Sequence, residues 1–209
     1  LLMLQHRGQD AAGMVVCEPS GKLNSRKSKG YVRDVFQQNH MNNLQGNLGI
    51  GHVRYPTAGG IGKEFAQPMY VNTPYGISLA HNGNLTNSKK LAAELFHAER
   101  RHINTDSDSE VLLNIFALEL SKQEAVFPKP KDFFSAVEKT HLRINGAYAV
   151  VALITGYGIL AFRDPLGIRP LSIGIRKGKN RNEYVVSSET ALFSSTGFKF
   201  LRDVEPGEA

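Results

Sequence analysis

The sequence predicts a mixed α+β fold in which a sheet is covered on both of its faces. Three observations support this prediction: seven short β-branched segments bounded by Gly, Pro or Asn, helical patterns grouped in the middle of the chain, and strands that are apolar on both faces. Because strands lie towards both ends with the helices between them, this order favours a layered sandwich over regularly alternating βαβ units.

The predicted strands are short, and the predicted helices carry apolar stripes. We expect strands at residues 13–17, 48–54, 76–81, 147–154, 158–163, 171–175 and 184–188. We expect helices at residues 88–101, 107–122 and 133–142. At the start of the second helix, Ser107 and Glu110 form the S-x-x-E pattern of a capping box. The Pro-containing stretch at residues 127–131 predicts a loop between two helices.

Length and composition predict one ordinary globular domain. The chain has 209 residues, of which 41% are hydrophobic and 21% are charged. No apolar run approaches the roughly 20 residues that cross a bilayer, so we predict no membrane partner. A single cysteine, Cys17, leaves no partner for an internal disulfide and favours a reducing compartment, so we expect a cytoplasmic location.

The net charge of +6 raises the alternative of a nucleic-acid partner. The basic clusters at residues 26–29, 100–102 and 176–181 are short, separate and poor in aromatic residues that would stack on bases. We therefore interpret them as solvated turns and helix ends, and predict no nucleic-acid partner. The chain starts inside an apolar segment without an initiator Met and closes on a turn, so we expect it to be cut at both ends.

Four polar, Gly-bearing segments stand at the edges of apolar elements, where scaffolds usually present functional groups: residues 4–10, 51–59, 80–85 and 104–110. Arg54 ends an apolar strand, so its guanidinium is expected near the sheet edge, where it can grip a carboxylate through two charged hydrogen bonds. The alternative is an arginine that simply pairs with an acid. The turn that follows, through Gly60 and Gly62, can close over a ligand.

The Asn82-Gly83 pair is typical of a tight turn after a strand that ends at Ala80. The Asn82 amide and the Gly83 N–H can also stabilise the oxyanion of an acyl intermediate, and the two interpretations are compatible. Asp108 is predicted in the first turn of a helix, where it either caps the helix or holds an ammonium group.

Asp106, Asp108 and Glu110 bring three acids together, but the spacing of a hard-cation loop is absent, so we predict no metal site. We predict structural hydrogen bonds for His6, His52 and His81, because no H-x-x-x-H pairing is present. Ser187-Ser188-Glu189 follows a strand without an identifiable base. Cys17 follows an apolar strand with no adjacent cation or helix N-terminus to activate it, so we predict a passive residue.

Taken together, these segments resemble class II glutamine amidotransferases, and specifically the amidophosphoribosyltransferase family. The sequence motifs that carry the resemblance are found at residues 4–13 (LQHRGQDAAG), 54–59 (RYPTAG), 66–68 (AQP), 163–165 (RDP) and 167–171 (GIRPL). The resemblance covers residues 1–209 as one glutamine amidotransferase type 2 domain. It implies the N-terminal-nucleophile (Ntn) hydrolase fold, a four-layer αββα sandwich of two stacked sheets between helices.

The resemblance also implies roles for individual residues. Arg54 would bind the carboxylate of glutamine, Asp108 its α-amino group, and Asn82 with Gly83 the oxyanion. Arg7 would support the surroundings of the nucleophile, and Tyr55 and Thr57 would belong to the substrate-binding loop that runs to residue 65. The family's chemistry uses an N-terminal cysteine whose own α-amino group is the base, which is consistent with the pKa near 8 of such a group.

This sequence departs from the family at the nucleophile, because the Cys-Gly-Ile strand that would carry it is absent and Cys17 stands at a different place. We therefore expect a glutamine pocket without hydrolysis in the chain as printed. The resemblance implies no cofactor in this domain, Mg²⁺ and phosphoribosyl diphosphate in a phosphoribosyltransferase domain that is absent here, and a homo-oligomer. The alternatives are a catalytically silent glutamine-binding or scaffolding module and a sibling class II amidotransferase that acts on a sugar phosphate or aspartate.

Overall fold

The computed structural model describes residues 1–55, 62–123, 125 and 127–209. Within these ranges the strands are β1 (Ala11–Cys17), β2 (Leu23–Lys29), β3 (Leu48–Arg54), β4 (Met69–Val71), β5 (Ile77–Leu85), β6 (Gly146–Ile154), β7 (Gly158–Arg163), β8 (Ser172–Lys177), β9 (Asn182–Ser187) and β10 (Lys199–Asp203). The helices are α1 (Val32–Val35), α2 (Gln38–Asn43), α3 (Ser88–His97), α4 (Asp108–Ser121), α5 (Pro130–Arg143) and α6 (Ala191–Ser195), and 3₁₀ helices cover Leu2–Arg7 and Lys63–Phe65.

The centre of the molecule is an antiparallel sheet of four strands in the order β4-β5-β6-β7. Its strand β6 shows why the sequence is apolar on both faces. Tyr148, Val150 and Ala152 pack in one large core with helices α3, α4 and α5, whereas Ala149 and Leu153 pack with strands of other sheets. Successive side chains of a strand point to opposite faces, so a sheet covered on both sides needs an apolar residue at each position.

Two further sheets, β2-β1-β3 and β10-β8-β9, cover the face of the central sheet that is opposite the helices. In the first, Val15 and Ile50 pack on Leu153. In the second, Leu171 and Val204, which flank its strands β8 and β10, pack on Ala149. The structure thus confirms a mixed helix and sheet protein in which the central sheet is covered on both faces.

Some elements differ from the sequence-based expectation. The basic segment at residues 26–29 was expected to be a solvated turn, and that prediction was wrong, because these residues complete strand β2, which pairs along the whole length of β1. An edge strand with one face in solvent carries alternating polar residues, so its composition resembles that of a loop. Helix α3 ends at His97, four residues before the predicted end, and α5 begins at Pro130, which stands at a position where a proline needs no N–H partner.

A buried carboxylate organises the turn that follows β7. Asp164 is fully buried and accepts four backbone N–H groups, from Tyr148 at 3.3 Å, Leu166 at 3.1 Å, Ile168 at 3.1 Å and Arg169 at 3.2 Å. The preceding Arg163 donates to the carbonyl oxygens of Gly167, Arg169 and Val204. The Arg-Asp-Pro motif thereby ties the turn, strand β6 and the end of the chain together.

In the parts of the chain that the structure describes, no helix is long and apolar enough to span a membrane.

Candidate functional site

Arg54 ends strand β3, and its side chain is buried in an ion pair. In the register between β1 and β3 it lies opposite Ala11, so it stands beside Asp10. Arg54 Nη1 donates to Asp10 Oδ2 at 2.5 Å, and the two side chains are only 8% and 10% exposed. Its guanidinium also lies 5.3 Å from the centre of the Phe65 ring. The ion pair and the ring contact therefore hold the arginine in one orientation at the edge of its sheet, and Asp10 is an acidic partner of Arg54.

Arg7 lies next to this edge because Gly8 lets two backbone segments approach closely. A Cβ atom at Gly8 would stand 2.5 Å from the carbonyl carbon of Arg54, so only glycine fits. Arg7 Nη1 donates to Glu189 Oε1 at 2.8 Å, and His6 Nε2 lies 3.0 Å from Glu189 Oε2. The hydrogen bonds from Arg7 and His6 lower the pKa of the Glu189 carboxyl group. Glu189 follows a predicted strand, and its basic partners were not recognisable from the sequence.

Asn82 and Gly83 do not form the tight turn that the sequence predicted. Strand β5 continues through them to Leu85, with Asn82 opposite Ala149 and Gly83 opposite Tyr148 of β6. Glycine is needed at position 83 because a Cβ atom would lie 2.0 Å from the Ala147 carbonyl oxygen and 2.7 Å from His81 Nε2. The Asn-Gly pair thus reflects close packing within a strand, because tertiary pairing overrides the local turn preference.

Strand β5 extends beyond the end of the short strand β4. In this part of β5, several backbone N–H groups point away from β6. The His81 N–H donates to Gln67 Oε1 at 2.7 Å, and the Leu85 N–H donates to Asp108 Oδ2 at 2.9 Å. N–H groups of an antiparallel strand alternate in direction with a period of two residues. The Gly83 N–H therefore shares this side of the strand and lies between the donors that serve Gln67 and Asp108.

Asp108 is the first residue of helix α4, as the sequence predicted. Besides accepting the Leu85 N–H, its carboxylate lies 3.9 Å from His81 Nδ1, and its side chain is 19% exposed. The position combines a helix N-terminus, which favours negative charge, with the end of the strand that carries Asn82 and Gly83.

The capping box predicted with Glu110 is incomplete. Ser107 does cap α4, because its hydroxyl accepts the Ser109 N–H at 3.3 Å. The Glu110 carboxylate, however, accepts the N–H groups of Asn104 and Thr105, each at 2.8 Å, so it orders the preceding loop.

A buried network of polar side chains, which the sequence did not predict, connects β5 with the start of helix α4. The amide of Gln67 accepts the His81 N–H and donates to Ser109 Oγ at 3.0 Å, and His81 Nδ1 lies 3.1 Å from the same hydroxyl. His81, Gln67 and Ser109 are all buried. The one available signal was the Ala-Gln-Pro segment, which carries Gln67. Burial is the main cause that lowers the pKa of His81, so the network holds a neutral imidazole.

His52 lies on β3 two residues before Arg54, and β3 packs beside strand β5. Burial is the largest cause that lowers the pKa of His52 to about 4, and the nearby charge of Arg54 acts in the same direction. The sequence predicted a structural hydrogen bond for this residue, whereas its buried Nδ1 has no hydrogen-bond partner among the described residues. Through His52 and His81 the structure connects three of the four segments that the sequence singled out, and the first segment reaches them through Asp10.

The remaining candidates lie apart from this group or outside the described residues. Cys17 is buried at the far end of β1, opposite Leu48, which places it about 20 Å along the strand from Ala11. Tyr55 is 65% exposed directly after β3, while Thr57 and most of the predicted closing loop fall within residues 56–61, which lie outside the described residues. Among the residues that the structure describes, no group of three or more His, Cys, Asp or Glu is arranged to hold a metal ion.

Comparison with solved structures links this arrangement to known proteins. A structure described as the allosteric regulatory enzyme of purine biosynthesis superposes with a TM-score of 0.81 at 37% identity, over 98% of this chain and 41% of that one. A glutamine phosphoribosylpyrophosphate amidotransferase from B. subtilis, solved with ADP and GMP, gives a TM-score of 0.78 at 35% identity, over 97% of this chain and 41% of that one.

Sequence comparison leads to the same proteins. Over all of this chain, the amidophosphoribosyltransferases of Pasteurella multocida and Escherichia coli are each 56% identical to it. The chain spans only 42% of the length of each of these two relatives. The family model of the glutamine amidotransferase domain matches residues 61–195, about two thirds of the chain. The chain therefore belongs to the glutamine amidotransferase domain family.

Proposed function

We propose that this chain is the ammonia-producing half of an amidophosphoribosyltransferase. In the proposed reaction it releases ammonia from the side chain of glutamine. A following phosphoribosyltransferase domain uses that ammonia to make 5-phosphoribosylamine from phosphoribosyl diphosphate, the first step of de novo purine synthesis. The proposal is supported by relatives that carry this name and match the whole length of the chain at 56% identity.

Free glutamine carries a carboxylate and an ammonium group, so its site needs one charge of each sign. Arg54 supplies the positive charge in our proposal, and the buried pair with Asp10 sets the direction of its planar guanidinium, which has five N–H donors in a fixed fork. Asp108 supplies the negative charge from the start of α4. Strand β5 lies between the two, because it packs beside β3, which carries Arg54, and its residues His81 and Leu85 contact Asp108.

The observation that carries the proposal is the pair of hydrogen bonds from the His81 and Leu85 N–H groups of β5, which sets the direction of the Gly83 N–H between them. The Gly83 N–H lies on the side of β5 that faces away from β6, between donors already bound to Gln67 and Asp108. Side chains alternate between the two faces of β5, so the Asn82 side chain lies on the same face of the sheet as Ala80 and as Ala149 of β6. Ala149 packs against the second layer of sheets. We propose that the Gly83 N–H and the Asn82 amide bind the oxyanion that forms when the glutamine amide is attacked.

The attacking thiolate is proposed to come from a cysteine outside the printed sequence. Cys17 is a poor candidate because it lies at the opposite end of β1 from Arg54. An N-terminal cysteine would carry its own base, since an α-amino group has a pKa near 8 and accepts a proton without a histidine. This assignment fits the two neutral buried imidazoles at His52 and His81, which we give positioning roles. Arg7, held by Glu189, is proposed to support the nucleophile's surroundings.

The proposed fold is the four-layer sandwich of the Ntn hydrolases. In its favour, the sheets β2-β1-β3 and β10-β8-β9 lie on the same face of the central sheet, as two parts of a second sheet would. The side chain of Val151 on β6 touches the apolar clusters under both of them. The cytoplasmic location, a homo-oligomer and Mg²⁺ in the phosphoribosyltransferase domain stay predictions.

Arg54→Lys in the complete enzyme tests the proposed function. Lysine keeps a positive charge beside Asp10 but loses the fork that grips a second carboxylate. We expect kcat/KM for glutamine to fall by about tenfold or more, which corresponds to about 1.4 kcal/mol, while phosphoribosylamine formation from free ammonia stays within about twofold. Arg33→Lys, at an exposed position of α1, is the matched control and should change neither rate.

An equal loss of both activities in Arg54→Lys would assign Arg54 a purely structural role and contradict the glutamine-binding assignment. Ammonia transfer to an acceptor other than phosphoribosyl diphosphate would point to a sibling class II enzyme. A complete protein that binds glutamine without releasing ammonia would point to the silent binding module.

A further inference from the structure

The side-chain amide of Gln67 is buried and joins two elements of the central layers. Its oxygen Oε1 accepts the His81 N–H of β5 at 2.7 Å, and its nitrogen Nε2 donates to the hydroxyl group of Ser109 in α4 at 3.0 Å. The backbone of Gln67 lies against β1, where a Cβ atom at Gly13 would stand 1.9 Å from the backbone carbonyl oxygen of Gln67. One side chain therefore connects β5 with the first turn of α4, while β1 packs against its backbone.

The two groups that Gln67 contacts are neighbours of groups in the proposed glutamine site. Ser109 directly follows Asp108, which we propose to bind the α-amino group of glutamine. The His81 N–H stands two residues before the Gly83 N–H on the same side of β5, because the N–H direction alternates along the strand. Two hydrogen bonds of Gln67 therefore relate the oxyanion-binding end of the site to the ammonium-binding end.

A further contact closes these bonds into a cycle. His81 Nδ1 lies 3.1 Å from Ser109 Oγ, so Gln67, Ser109 and both the ring and the backbone of His81 belong to one closed cycle of hydrogen bonds. All three residues are buried, so water does not compete for these bonds. On the far side of Gly83, the Leu85 N–H donates to the carboxylate of the first residue of α4 at 2.9 Å. The start of α4 is thus attached to β5 both before and after the Gly83 N–H.

Packing alone does not require an amide at position 67. Ala66 and Met69, which stand near it along the chain, are buried and apolar. A buried amide costs free energy unless its polar atoms are hydrogen-bonded, so an apolar side chain of similar size would fill the same space with fewer constraints. What the amide adds is direction, because its oxygen must meet a donor on β5 while its nitrogen meets an acceptor on α4.

We propose that Gln67 is a positioning residue for glutamine hydrolysis, which sets the distance between the Gly83 N–H and the Asp108 carboxylate. This inference rests on the proposed function, in which these two groups hold opposite ends of one glutamine molecule. If the distance changes, Arg54 and Asp108 still attract the charged groups of glutamine, whereas the oxyanion no longer meets the Gly83 N–H in the required geometry. A displacement of about 1 Å can lower a rate by about 100-fold, and the loss should appear in kcat more than in KM.

Gln67→Met in the complete enzyme tests this inference. Methionine has a similar length but no N–H donor and only a weakly accepting sulfur, so the bonds to His81 and Ser109 are lost. We expect kcat with glutamine to fall by about tenfold or more, while KM for glutamine stays within about threefold and phosphoribosylamine formation from free ammonia within about twofold. Asn114→Leu is the matched control, because this amide is also buried but donates to the Glu110 carbonyl oxygen within α4, and it should change none of these values.

Ser109→Ala tests the same connection from the side of the helix and removes only one oxygen atom. We expect the same pattern as in Gln67→Met with a smaller fall of kcat, about threefold to tenfold. Ser78→Ala is its matched control, because Ser78 is a buried serine of β5 whose hydroxyl group has no hydrogen-bond partner among the described residues. If Gln67→Met does not fold, Ser109→Ala decides the question alone.

An unchanged kcat with glutamine in these two variants would overturn the inference. An equal loss of the glutamine-dependent and ammonia-dependent rates would also overturn it, since Gln67 would then only stabilise the fold. A higher KM with an unchanged kcat would overturn it as well, because the effect would then lie in substrate binding. The test of the proposed function stays separate, because Arg54→Lys would still lower kcat/KM for glutamine if only the role of Gln67 were wrong.

Discussion

Replacing Asp164 by asparagine should remove a large part of the chain's stability. Asp164 is fully buried, its Oδ1 accepts the N–H groups of Leu166 and Ile168, and its Oδ2 accepts those of Tyr148 and Arg169. Asparagine keeps one of these oxygens and places an NH₂ group where the other stood. Two buried N–H donors then lose their acceptor and face another donor.

The magnitude follows from these two lost interactions. A hydrogen bond to a charged acceptor contributes about 1.5 to 3 kcal/mol, so Asp164→Asn should lower the free energy of unfolding by about 3 to 6 kcal/mol. A domain of this size is usually stable by about 5 to 15 kcal/mol, so the variant would be marginal. Denaturant unfolding of the 209-residue chain at neutral pH measures the difference directly.

Asp106→Asn is the control for this substitution, because Asp106 is exposed and a surface change of this kind is usually within about 0.5 kcal/mol. A loss of less than about 1 kcal/mol in Asp164→Asn would refute the reasoning. It would mean that the turn after β7 is ordered by its backbone and by Arg163, without the carboxylate.

Two further predictions concern His52 and Gly83. Because folding lowers the pKa of His52 from 6.5 to about 4, the unfolded chain binds a proton that the folded chain does not. The free energy of unfolding is therefore unaffected by His52 above pH 6.5 and falls by up to about 3 kcal/mol as the pH decreases to 4. We expect His52→Gln to remove this contribution, so that its free energy of unfolding depends less on pH between pH 7 and 4. Parallel pH dependences of the free energy of unfolding in the variant and the original chain would contradict this. Gly83→Ala should destabilise the chain far more than Gly156→Ala. A Cβ atom at position 83 would lie 2.0 Å from the Ala147 carbonyl oxygen. Gly156 also has a positive φ, but a Cβ atom there would meet nothing within 4 Å. Equal unfolding midpoints for the two variants would show that β5 and β6 separate without cost.

Local patterns predicted the interior elements well. Strands β3 and β7 have the bounds that the sequence predicted, and helix α4 differs by one residue at each end. In these segments burial and periodicity agree, because each has at least one apolar face. Strand β10, by contrast, is exposed along its whole length, so the composition carried no signal of pairing.

In the candidate site, some residues were recognisable from the local sequence and their partners were not. Arg54 and Asp108 were recognisable from local context, since one ends an apolar strand and the other begins an apolar helix that is buried on nearly all sides. Their partners were not recognisable, because Arg54 meets Asp10 across 44 residues and Arg7 meets Glu189 across 182 residues. A contact between distant residues depends on how strands pair, and short polar side chains carry no pattern that reports it.

By itself the sequence determined the mixed helix and sheet class and the family, because these follow from residue type, periodicity and the sequence motifs, and it named the residues that we propose for substrate binding. Only the tertiary structure decided how these residues work together. It placed Asn82 and Gly83 inside a strand, where the alternation of the backbone directs the Gly83 N–H away from β6 and the Asn82 side chain towards the second layer.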